Sequence, residues 1–146
     1  GGSGPVDLVT DVVGVFPAGS GYHPLTPARV LDTRPGESTV DGKQLGAGAS
    51  APGSTLALPV AGRGGVPATA TSVVLNVTVD GASGSGFVTV HPCDGPLPLA
   101  SNLNFVAGAS AANGSVVPLA ADGTVCLFVG GSSPVHLIVD VGGYFG

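Results

Sequence analysis

The sequence predicts an all-β domain, a β-sandwich of jelly-roll or Greek-key type, on three observations. Short segments of alternating apolar and polar residues recur, roughly one every ten residues. The 146 residues include 26 glycines and 13 prolines, so turns come often and long helices are broken. Valine and threonine fill the segments between the turns and favour extended backbone. A β-trefoil is the alternative architecture, but no threefold internal repeat accompanies it.

Each strand follows from its pattern. Residues 6–12 alternate and form the first, and residues 28–33 a short second. Residues 55–60 are the third; Pro59 cannot donate to a ladder and places this strand at a sheet edge. Residues 72–80 alternate most cleanly. Val73, Leu75, Val77 and Val79 point to the core, and Val74, Asn76, Thr78 and Asp80 to the wet face. Residues 86–90 follow a Gly/Ser turn and are expected to form a hairpin with them. Residues 101–105 turn Leu103 and Phe105 inward. Residues 115–119 and 124–129 flank the turn Ala121-Asp122-Gly123, and residues 135–141 are the last strand.

The chain repeats itself. Residues 1–16, GGSGPVDLVTDVVGVF, return as residues 130–145, GGSSPVHLIVDVGGYF, at a constant offset of 129 with ten of sixteen positions identical. Such self-similarity marks a tandem array or a subunit that joins end to end. Residues 1–16 then read as the closing strand of a preceding repeat or a donor strand, residues 17–24 as a linker, and residues 25–146 as the repeat unit. The pairing and packing residues are Val6, Leu8 and Val12 with their counterparts Val135, Leu137 and Val141. Asp11 and Asp140 fall on the opposite face.

Composition narrows the function. The length suits one domain with its own core. Net charge is −5, and the only cations are Arg29, Arg34, Lys43 and Arg63. That leaves no basic footprint for nucleic acid or for an anionic membrane. No apolar run reaches the roughly 18–20 residues that span a bilayer, so membrane insertion is not expected. No secretory leader heads the chain, which reads as a mature protein or an excised piece. Cys93 and Cys126 point to one disulfide and an oxidising compartment; two buried thiols are the alternative.

Residues 23–34, HPLTPARVLDTR, hold two of the four cations around an acid. Arg29, Asp32 and Arg34 are either an ion pair that ties this segment to the sheet or a ligand site for a sugar hydroxyl or carboxylate. Asn76, Asn102 and Asn104 sit on otherwise apolar strands; they either hydrogen-bond loop backbone or form an amide patch for a glycan. His23, His91 and His136 are scattered, and no zinc helix, nucleophile elbow or phosphate loop is present. Gly62-Arg63-Gly64-Gly65 is followed by no helix that could cradle a phosphate. The expectation is no catalytic residue, no metal and no cofactor.

The segment 23–34, with TSVVLNVTV at 71–79, SNLNF at 101–105 and VHLIVDVGGYF at 135–145, resembles a repeat domain of secreted actinobacterial proteins. The resemblance covers nearly the whole chain from Tyr22 onward. It departs at Gly142, where that family has Val, and at Val15, where it has Tyr. It implies a secreted or cell-surface location and an accessory or structural role, without catalysis. The expected function is a structural module of an extracellular tandem array or fibre, with neighbouring copies of the same domain as partners. The alternative is a carbohydrate- or cell-wall-binding module appended to secreted enzymes. Against it, there is no Trp for a sugar platform, and Tyr is limited to Tyr22 and Tyr144.

Overall fold

The structure, a computed structural model, describes Thr10, Val12 and residues 14–146. Its strands are β1 (Tyr22–Asp32), β2 (Thr55–Pro59), β3 (Ser72–Asp80), β4 (Gly86–Pro92), β5 (Leu103–Phe105), β6 (Ala111–Pro118), β7 (Thr124–Gly131) and β8 (His136–Phe145). They make two four-stranded sheets in the orders β1-β8-β3-β6 and β2-β7-β4-β5. All neighbours are antiparallel. Each strand pairs with its mirror image along the chain: β1 with β8, β2 with β7, β3 with β6, β4 with β5. That is one long hairpin rolled into two layers, the jelly roll. Two packed sheets of this kind rule out the trefoil.

The alternation in β3 decides which face is buried. Val73, Leu75, Val77 and Val79 are 0–1% exposed, and they share one core with Leu58, Val88, Leu127 and Val129 of the other sheet. The Gly/Ser segment after β3 links the two layers rather than adjacent strands, and this corrects the hairpin expected between residues 72–80 and 86–90. β3 and β4 lie in different sheets. Gly81, at φ 71°, turns the chain, Ala82 is buried between the layers, and the Gly84 N–H donates to Ser133 Oγ at 3.0 Å. Residues 119–123 carry the chain across in the same way between β6 and β7.

Two strands begin earlier than their sequence suggests. β1 opens at Tyr22, inside the segment read as linker, and pairs Tyr22 with Phe145 and Pro24 with Gly143. Its prolines are tolerated because it is an edge strand, and its register breaks between Pro24 and Ala28 around Pro27. β6 opens at Ala111 because Asn113-Gly114, turn chemistry in isolation, is held in a ladder against Val77 and Asn76. Edge position for β2 agrees with Pro59. A disulfide joins Cys93, just beyond β4, to Cys126 on β7, with Cα atoms 4.9 Å apart. No helix among the described residues is long and apolar enough to cross a membrane.

Candidate functional site

β8 is the strand whose sequence is written twice, and it lies at the centre of its sheet between β1 and β3. Val135, Leu137, Val139 and Val141 are fully buried. Asp140 faces the other way, where both carboxylate oxygens accept from Arg29: Nε to Oδ1 at 2.9 Å and Nη2 to Oδ2 at 3.4 Å. Gly143 lies under the Tyr22 ring, where an added Cβ would come within 2.5 Å of it. Phe145 packs on Tyr22 with ring centroids 5.3 Å apart.

Residues 1–16 repeat what those positions need. Val135, Leu137, Asp140, Val141, Gly143 and Phe145 recur as Val6, Leu8, Asp11, Val12, Gly14 and Phe16. Gly142 becomes Val13, and a Cβ at Gly142 meets nothing within 4 Å. Ile138 becomes Val9, the loss of one methylene. Two changes remove side-chain contacts: His136, bonded to Thr33, becomes Asp7, and Tyr144, stacked on His23, becomes Val15. One buried position turns polar, Val139 to Thr10. Val6 and Leu8 lie outside the described residues. Val12 is described and is 84% exposed, so it packs into no core of this chain.

The charged cluster of residues 29–34 is built around Asp32, which is 0% exposed. Its Oδ1 accepts from the Arg34 backbone N–H and Nε, both at 3.1 Å. Its Oδ2 accepts from Arg34 Nη2 at 2.9 Å and Arg29 Nη1 at 3.1 Å. Burial pushes the Asp32 carboxyl up, but the Arg34 side chain and backbone, with the charges of both arginines, hold it below the usual carboxylate range. Arg29 is raised, chiefly by its bonds to Asp140, and Arg34 chiefly by its bonds to Asp32. Arg34 also reaches Asp80 at 3.7 Å and Glu37 at 3.9 Å. Thr33 is buried beside it: its N–H donates to Leu137 O, and its Oγ1 accepts the Leu137 N–H at 2.9 Å. These contacts lock β1 onto β8 and leave Asp32 fully engaged. The arrangement is that of an ion-pair lock.

A second charged lock has a faint sequence signal, one of four cations set among glycines. Arg63 is 8% exposed and donates to Asp41 through Nε at 2.7 Å and Nη2 at 2.8 Å, and to Pro59 O through Nη1 at 2.8 Å. Its bonds to Asp41 hold that carboxyl well below the usual range. Ser110 does the same for Asp80 through a hydroxyl bond.

The asparagine patch is not formed. Asn76 points outward from β3, while Asn104 points outward from β5 in the other sheet. Asn102 is occupied between the layers. Its Oδ1 accepts the Val90 N–H at 2.7 Å, and its Nδ2 donates to Ser115 Oγ at 3.3 Å. The rolled topology separates strands that the sequence places at similar spacing. The histidines also go to three places: His23 stacks on Tyr144, His91 Nδ1 faces Pro92 O, and His136 Nδ1 faces Thr33 Oγ1. Among the described residues no three His, Cys, Asp or Glu side chains form a group that could hold a metal.

No protein-family model matches the chain, and no curated protein matches it.

Proposed function

We propose that this chain is a structural module of an extracellular tandem array, one full jelly roll preceded by the closing strand of the copy before it. The observation that carries this reading is the retention, in residues 6–16, of the six residues that the segment 135–145 uses for burial, ion pairing, close approach and aromatic contact. A segment with no β8-like role has no need of an aspartate, a valine, a glycine and a phenylalanine at those intervals. The disulfide supports an oxidising, secreted setting. The module joins neighbouring copies, and catalysis has no part in it.

Covalent succession is favoured over strand exchange because the β8 slot is already filled by the chain's own residues. Light scattering over a concentration series, with negative-stain microscopy, tests this. A monomer at all concentrations is expected. Growth in mass or filaments would show that copies join by exchanging the strand, and would overturn covalent succession. The resemblance to a repeat domain of secreted actinobacterial proteins points the same way. The carbohydrate-binding alternative is left without its amide patch.

A further inference from the structure

The segment between the two copies of the motif folds back on the sandwich. The Ser20 N–H donates to Pro17 O at 3.1 Å, and the Tyr22 N–H to Ser20 Oγ at 3.3 Å. Gly19 and Gly21 adopt φ of 81° and 76°, which glycine alone reaches without strain. This turn returns Phe16 onto the aromatic pair at the pole where β1 starts and β8 ends. The Phe16 ring lies 4.5 Å from Tyr22 and 5.3 Å, edge-on, from Phe145. Both are within the range where aromatic pairs attract beyond simple burial. Tyr22 and Phe145 are register partners, and the Gly146 N–H donates to Gly21 O at 3.3 Å. Chain entrance and exit therefore sit side by side at one pole.

We infer that the pole carrying Tyr22 and Phe145 is the contact surface for the preceding copy of this module, held by that copy's final phenylalanine. The inference rests on the array reading, in which Phe16 is the Phe145 of the copy before. Consecutive copies then meet pole to pole, not stacked end on end along their strands. Their closing phenylalanines lie 5.3 Å apart, as Phe16 and Phe145 do here. The turn at residues 17–21 makes this joint stiff, and its partner is specific: an aromatic delivered six residues ahead of Tyr22.

The test is a two-copy chain in which Phe145 is followed directly by a second Pro17–Gly146. Nuclear relaxation is recorded on both sandwiches. A stiff joint gives both the same correlation time, raised in proportion to the doubled mass. Phe145→Ala in the first copy should return each sandwich to the value of a single module. Inserting Gly-Ser-Gly after Gly19 of the second copy should do the same while touching neither core. Independent tumbling of the two sandwiches with Phe145 and the native turn in place would overturn the joint. That failure is distinct from failure of the array reading, which concentration-dependent assembly of the single chain would report.

Discussion

Arg29 of β1 holds Asp140 of β8 with two parallel hydrogen bonds, and Asp140 is the residue that the first copy of the motif repeats as Asp11. The same guanidinium donates to buried Asp32. One arginine thus ties the outer strand of the sheet to the strand that recurs.

The two acids on Arg29 differ in consequence. Asp140→Ala removes a pair that is partly open to water, and should cost about 1 kcal/mol. Asp32→Ala removes a buried acceptor of four hydrogen bonds, three of them from Arg34, which keeps only its longer contacts to Asp80 and Glu37. It should cost on the order of 3 kcal/mol. Urea denaturation of both variants checks the ranking.

Acid should weaken the fold through its aspartates. Asp32, Asp41 and Asp80 all sit below their ordinary range, so the folded chain binds fewer protons than the unfolded one. Their contribution is complete above an unfolded aspartate's value of about 3.9 and is lost as pH falls through the lower folded values. Urea midpoints should be flat in this respect above about pH 5 and drop below about pH 4. A midpoint unchanged down to strongly acid solution would contradict it.

Adjacent glycines of β8 should behave oppositely. Gly142→Val meets open space and copies Val13, so stability should stay within about 0.5 kcal/mol. Gly143→Ala drives a methyl into the Tyr22 ring and should cost about 1 kcal/mol or more. Combining it with Tyr22→Ala should relieve the clash, giving a coupling that a double-mutant cycle reads directly.

Removing the disulfide should destabilise without unfolding. The bridge closes a sequence separation of 33 residues, for which loop entropy gives about 3–4 kcal/mol. The core spans both sheets and does not depend on it. Thermal melts of Cys93→Ala/Cys126→Ala should show a lowered but cooperative transition.

How much of this was legible in the sequence depends on whether local pattern or tertiary path decides. The β3 alternation marked Val73, Leu75, Val77 and Val79 as core, because burial of one face imposes a period of two. The cysteine pair was legible from composition. The crossing after Asp80 was not, because a turn such as residues 81–85 suits a hairpin equally well. Prolines hid the start of β1, and Asn113-Gly114 hid the start of β6, since edge pairing overrides their local preference. In the site, Asp32 with its arginines stood out in a chain of few charges. The Arg63–Asp41 lock did not, because its partners are 22 residues apart with no pattern between them. The asparagines failed as a patch because spacing along the chain does not say which sheet a strand joins.

Assignment to a tandem array requires residues 5–16 and residues 134–145 to be equivalent. The most direct measurement replaces residues 134–145 with the sequence of residues 5–16 and follows urea unfolding. The expected result is a folded chain with a single cooperative transition, weakened by about 2–4 kcal/mol. That loss reflects a threonine hydroxyl in the place of Val139 and the contacts of His136 and Tyr144. Absence of any cooperative transition, persisting when the transplanted Thr10 is also changed to valine, would contradict it.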